Sequence, residues 1–143
     1  MTSLAPVLNI LARVMVGYAG LFLVPMAWAW HLDNPALVWV WLQSMALTAG
    51  AGLLIWLATA RFHRELMARD GFLLVNLVWV VLPAFSAVPL VLAVDGLSWT
   101  DAYFEAMSGL TATRATALSG PDALPVSVNV WRCFLHLIGG LGV

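Results

Sequence analysis

A polar window sits between two apolar stretches of membrane grade: Asp101-Ala102-Tyr103-Phe104-Glu105-Ala106-Met107-Ser108-Gly109-Leu110-Thr111-Ala112-Thr113-Arg114-Ala115-Thr116. Its first ten residues pattern as a short helix. Its last six pattern as an extended, hydroxyl-rich run. Inside a bilayer, non-helical polar backbone survives only where protein buries it or where it lines a water-filled path. The window therefore restricts the chain to folds in which neighbouring helices shelter a re-entrant segment. It also makes that segment a candidate ion-selectivity loop, because rings of backbone carbonyls replace an ion's hydration shell.

The rest of the chain agrees with a bilayer as solvent. Of 143 residues, 63% are apolar and 9% are charged, against the roughly 25% charged that a soluble domain carries. The mean hydropathy is +0.96. These values predict an all-α membrane protein in contact with membrane lipid. A net charge of −1 and a complete lack of lysine give no basic surface for nucleic acid. Cys133 stands alone, cannot form an intrachain disulfide, and reads as a small apolar-face residue. The N-terminus has no basic leader, and its first apolar stretch is too long for a cleaved signal peptide.

A helical crossing needs ~20 mostly apolar residues. Three stretches qualify: about Leu8 to Trp30, Ala36 to Ala60 and Phe72 to Val94. A fourth, Val126 to Val143, starts the same way and is cut off by the end of the sequence. Arg61, Arg64 and Arg69 cluster in one connection, whereas the connections around His31–Pro35 and Asp95–Asp101 hold no arginine. The positive-inside rule then predicts that residues 61–70 and the N-terminus are cytoplasmic. Trp28, Trp30, Trp39, Trp41, Trp99 and Trp131 fall near the opposite interface, and an aromatic belt is a sufficient reading for most of them. Trp79 lies deeper and has no belt explanation. Arg13 reads as a snorkelling anchor. Ala46, Gly50, Ala51 and Gly52 give the second span a small-residue face for close packing, and Pro83 and Pro89 predict kinks in the third.

Between the third and fourth stretches, the segment Ala102–Leu110 is too apolar for a free loop. Ser98 and Asp101 have the spacing of a capping box. A helix from Trp99 to Leu110 would be ~18 Å long, about half the thickness of the apolar core. Gly109 is the expected helix stop. The helix's carbonyl end would carry partial negative charge toward the membrane centre. Thr111 to Thr116 follow there, with oxygen donors suited to alkali cations. Asp101 and Glu105, four apart, read either as a cation-attracting vestibule or as a cap plus a structural hydrogen bond. His136 reads as a helix-packing residue. No nucleophile–base set or metal cluster is visible, and His31, His63 and His136 fall at different depths, so no enzyme is predicted.

The run Asp101–Thr111, with Asp122-Ala123-Leu124-Pro125, Ile138-Gly139-Gly140-Leu141-Gly142-Val143 and Arg69-Asp70-Gly71-Phe72-Leu73, resembles the TrkH branch of the Trk/Ktr potassium-transporter family. The resemblance implies four pseudo-repeats of helix, pore loop and helix in one chain, each giving a quarter of a potassium filter. It implies an N-terminal transmembrane hairpin over 1–70 and a first pore repeat over 71–143. Within that repeat it implies an outer helix at 72–94, a pore helix at 99–110, a filter strand at 111–116 and the start of a second helix at 126–143. Filter residues would be Thr111, Ala112, Thr113, Arg114 and Ala115. Potassium, the substrate, would meet the backbone carbonyls of Thr111, Ala112 and Thr113, and no bound cofactor is expected. The implied setting is a bacterial inner membrane, with a TrkA-like cytosolic nucleotide-binding ring as partner and a homodimer at full length. Channel and symport mechanisms both remain open.

The sequence departs from the family pattern at Arg114, which takes the place of a filter glycine, and more mildly at Ala112, which replaces a frequent threonine. Inward-pointing filter carbonyls need backbone angles that are costly for residues with a Cβ. A permanent guanidinium charge also repels the ion. The sequence as written therefore predicts either a potassium pore or a non-conducting relative of one. An outward-swung Arg114 paired with Asp122 or Glu105 would lessen the block.

Overall fold

The computed structural model describes residues 4–32, 35–62, 65–113 and 124–142, and every regular element among them is helical. Three helical stretches are long and apolar enough to cross a membrane: Leu4–Leu32, Pro35–Thr59 and Ala68–Ala93. The first consists of α1 (Leu4–Ala19), a 3-10 turn at Gly20–Phe22 and α2 (Leu23–Leu32). Pro25 accounts for the tightening. It lacks the N–H that would bond the carbonyl four residues earlier, and its ring crowds that carbonyl. The second stretch is α3 (Pro35–Thr59) and the third is α4 (Ala68–Ala93). The short α5 (Trp99–Leu110) follows, then α6 (Val126–Gly142).

The first and third spans begin four residues ahead of their sequence-predicted starts at Leu8 and Phe72. Hydropathy marks the apolar run, whereas the helix begins at its cap. For α4 the buried Asp70 carboxylate accepts the Met67 amide at 3.1 Å, which satisfies one otherwise orphaned N–H.

α1 packs along α3, and α2 packs on α3 and α6. Gly52 is the small residue of α3 that matters for the first contact. A Cβ there would lie 3.0 Å from the Ala12 carbonyl oxygen and 3.0 Å from Val16 Cγ2, while one at Gly50 would meet nothing. Asn9 Nδ2 donates to Thr59 Oγ1 at 3.1 Å and ties the ends of the same pair. Arg13 is exposed.

The core sits where α1, α3, α4 and α6 converge. Phe22 stacks on Trp131 with ring centroids 4.7 Å apart, Trp41 meets Trp131 edge-on at 5.8 Å, and Tyr18 meets Phe22 edge-on at 6.1 Å. Trp41 and Trp131 are wholly buried, so the belt reading fails for both. Hydropathy along the chain does not say which face of the helix each indole occupies. Trp28, Trp30, Trp39 and Trp99 are exposed, as a lipid-facing belt requires.

Ser86 of α4 joins three helices at this core. Its hydroxyl donates to the Leu82 carbonyl at 2.7 Å. The Tyr18 hydroxyl therefore donates to Ser86 Oγ, and Trp131 Nε1 donates to the Ser86 carbonyl at 3.2 Å. Ser86 lies three residues before Pro89. Val80, three residues before Pro83, likewise accepts from Tyr103 of α5, at 3.0 Å. A proline opens the helical ladder on the turn before it. The carbonyls that the prolines leave without a helical donor belong to Phe85 and Trp79, one residue before these two acceptors, so the bonds from Trp131 and Tyr103 brace the opened turns without replacing the lost ladder bonds.

Candidate functional site

The chain leaves α4 through Val94, turns at Gly96 with φ +77°, and enters α5 at Ser98. The Ser98 hydroxyl accepts the Asp101 amide at 3.1 Å. α5 buries Ala102, Glu105, Ala106, Ser108, Gly109 and Leu110 against α4 and α6. Its 12 residues reach ~18 Å, too short to cross a bilayer.

Glu105 is not an open vestibule group. It is 2% exposed, and its Oε1 accepts Arg132 Nε at 2.7 Å while Arg132 Nη2 lies 2.6 Å away. Arg132 also donates to Asn129 Oδ1 at 3.3 Å. Asp101, one turn earlier, is exposed. The two carboxylates therefore differ in role: Asp101 stands at the capped entry of the helix and Glu105 anchors α5 to α6. Arg132 was missed by the sequence reading. A charged residue in an apolar helix is itself the signal, because it demands a partner at membrane depth. His136 Nδ1 lies 2.8 Å from the Arg132 carbonyl, a packing role. Among the described residues no group of acidic, histidine or cysteine side chains could hold a metal.

Gly109 does not stop the helix. It lies inside α5 because α6 comes too close for a side chain: a Cβ there would stand 2.8 Å from Leu135 Cβ. Gly139 answers from α6, where a Cβ would stand 2.3 Å from the Leu110 carbonyl oxygen and 2.7 Å from that of Gly109. The stop falls at Ala112, whose φ is 55°. Its amide bonds the Gly109 carbonyl at 3.0 Å, and the Thr113 amide bonds the Ser108 carbonyl at 2.9 Å. This pair of bonds around a left-handed residue is a Schellman closure.

The closure changes the predicted geometry of the filter run. Thr111 and Ala112 form a turn rather than extended chain. The carbonyls of Met107, Ser108 and Gly109 are engaged by the amides of Thr111, Thr113 and Ala112 respectively. Beyond them come the Leu110 carbonyl, which faces Gly139, and the residues Thr111, Ala112 and Thr113, all exposed. The Thr111 hydroxyl donates to the Met107 carbonyl at 2.7 Å. It therefore accepts from Thr113 Oγ1, also at 2.7 Å, which braces the turn. Arg114, Ala115, Thr116 and Asp122 lie outside the described residues, as does His63.

A helix of half-span length, with its carbonyl end held between two longer helices and followed by hydroxyl-bearing turn residues, is an arrangement that known membrane proteins share. The family described as "TrkH: Cation transport protein" matches residues 40–143. The Trk system potassium uptake protein TrkH of Halomonas elongata is 37% identical over 142 residues, covering 99% of this chain and 29% of that protein. Its counterpart in Escherichia coli K12 is 38% identical over 102 residues, 71% of this chain and 21% of that protein. The crystal structure of the potassium transporter TrkH from Vibrio parahaemolyticus superposes with a TM-score of 0.90 at 30% identity, over 99% of this chain and 30% of that one. The chain thus spans about three tenths or less of the length of these relatives. With the family matched over most of its residues and the fold shared along almost all of them, the chain belongs to the TrkH family of cation transport proteins.

Proposed function

We propose that this chain supplies the first pore repeat of a Trk-type potassium uptake permease, with an N-terminal transmembrane hairpin ahead of it. The carbonyls of Thr111, Ala112 and Thr113, continued by residues 114 and 115, form one side of the ion path. The observation that carries this reading is the position of α5. Its carbonyl end is wedged against α6 at Gly139, and the turn that follows exposes Thr111–Thr113. Potassium uptake in the names of the relatives gives the ion. The setting proposed with it is a bacterial inner membrane with a cytoplasmic N-terminus. A TrkA-like nucleotide-binding ring is the regulator and a homodimer is the full-length assembly.

Arg114 favours a second reading, a non-conducting relative. Glu105 already accepts from Arg132, so its charge is matched within the α5–α6 contact. Two unit charges 4 Å apart at an effective dielectric of 20 repel by about 4 kcal/mol, which slows ion entry by about a thousandfold. The test is Arg114→Gly in the full-length protein, read as rubidium uptake in cells lacking their own potassium uptake. The glycine form is expected to transport two to three orders of magnitude faster, as that barrier implies (~4 kcal/mol). Equal transport by both forms would overturn the block. Insertion of both forms without uptake by either would overturn the pore.

A further inference from the structure

α5 and α6 touch at two levels, and the contacts resist different motions. Nearer the carbonyl end, Gly109 and Leu110 face Leu135 and Gly139. That contact sets how closely the helices approach and admits only glycine at its tightest points. One turn earlier, Arg132 brings two guanidinium nitrogens to a single Glu105 oxygen, at 2.7 and 2.6 Å, with the side chains 15% and 1% exposed. Charge-assisted bonds in a low-dielectric interior are directional and costly to stretch. α5 cannot slide along α6 without breaking them.

A buried ion pair is by itself weak evidence for stability, because desolvation offsets much of the attraction. Its geometric effect is firmer. From Glu105 to the Thr111–Thr113 turn the chain is a continuous helix with a closed end, so an axial shift at Glu105 is transmitted to those carbonyls undiminished. We infer that Glu105 is a positioning residue: through Arg132 it fixes the depth at which α5 presents the Thr111–Thr113 carbonyls, and thereby the preference for potassium over the smaller sodium ion. The inference rests on the pore reading above. It depends on the placement of carbonyl oxygens, which enters any account of filter selectivity.

Two conservative variants separate position from charge. Glu105→Asp keeps the charge and shortens the arm by one methylene, about 1.5 Å. Glu105→Gln keeps the arm and removes the charge. Both are made in the full-length protein, with glycine at 114 if the arginine form is silent. The readouts are sodium inhibition of rubidium uptake, and the melting temperature of the purified protein in potassium, sodium or choline chloride. In Glu105→Asp, sodium is expected to compete about tenfold better, a shift of about 1.4 kcal/mol in discrimination. The extra melting stability given by potassium over sodium should shrink while the choline value holds. Glu105→Gln, whose amide oxygen can still accept from Arg132 at the same reach but without charge assistance, should lose less of the preference than Glu105→Asp. Should Glu105→Asp fail to accumulate, the reversed pair Glu105→Arg with Arg132→Glu is read instead, with restored accumulation and altered discrimination expected. Unchanged discrimination in the aspartate or reversed form overturns the inference, as does a glutamine form that loses as much as the aspartate form. A parent with neither uptake nor potassium-specific protection overturns the pore reading and this inference with it, whereas a selective parent confines any failure to Glu105.

Discussion

Ala112 holds a left-handed φ of 55° at a position where helices usually place glycine. The conformation costs an L-residue about 1–2 kcal/mol, and the two closure bonds of Ala112 and Thr113 offset it. Ala112→Gly is expected to stabilise the protein by about 0.5–1 kcal/mol, since the strain relieved exceeds the added backbone freedom. Ala112→Val is expected to destabilise it, because a β-branched residue fits this region worst. Melting of purified protein in one detergent ranks the three forms, and a valine form as stable as the parent would contradict the closure. The same residues show why sequence placed the helix end correctly at Leu110 but assigned the stop to the wrong residue. A glycine near a helix end can serve as a left-handed cap or as a gap for a neighbour, and local pattern does not separate them. At Gly109 the neighbour is Leu135, twenty-six positions away in the chain.

The elements themselves were legible. The apolar lengths mark the spans, and the Ser98 cap with the apolar run after it marks α5 as a half-length helix. What the sequence withheld was cross-helix pairing: Arg132 with Glu105, Tyr103 with the Val80 carbonyl, Trp131 with the Ser86 carbonyl. These contacts depend on the relative rotation and depth of helices, which no periodicity within one helix encodes. The α5–α6 seam gives a prediction at this scale. Gly139→Ala puts a methyl group 2.3 Å from a backbone oxygen, which cannot rotate away as a side chain could. The helices must separate, at an expected cost of about 1–3 kcal/mol. Gly140→Ala, where a Cβ meets nothing within 4 Å, should be close to neutral. The difference is read as steady-state amount in the membrane and as detergent melting. Equal behaviour of the two alanine variants would refute the seam.

Across the whole molecule, the aromatic core couples the N-terminal span pair to the α4–α6 unit, since Tyr18 and Phe22 come from the first span, Trp41 from the second and Trp131 from α6. Trp131→Ala is expected to cost about 3–5 kcal/mol through the cavity it leaves. Trp30→Ala, at a site 70% exposed, should change stability by less than about 0.5 kcal/mol. Chemical denaturation in mixed micelles measures both, and a Trp131→Ala form as stable as the parent would show that the two halves are not coupled there. The shortness of α5 bears finally on how the protein is made. During synthesis α5 leaves the ribosome ahead of α6, yet much of its buried face, from the Glu105 anchor to the Leu110 carbonyl, rests on α6. A helix of that length has no stable berth among lipids alone. Its berth against α4 is already made but the side that rests on α6 is not, so α5 completes its packing only after a neighbour translated later arrives.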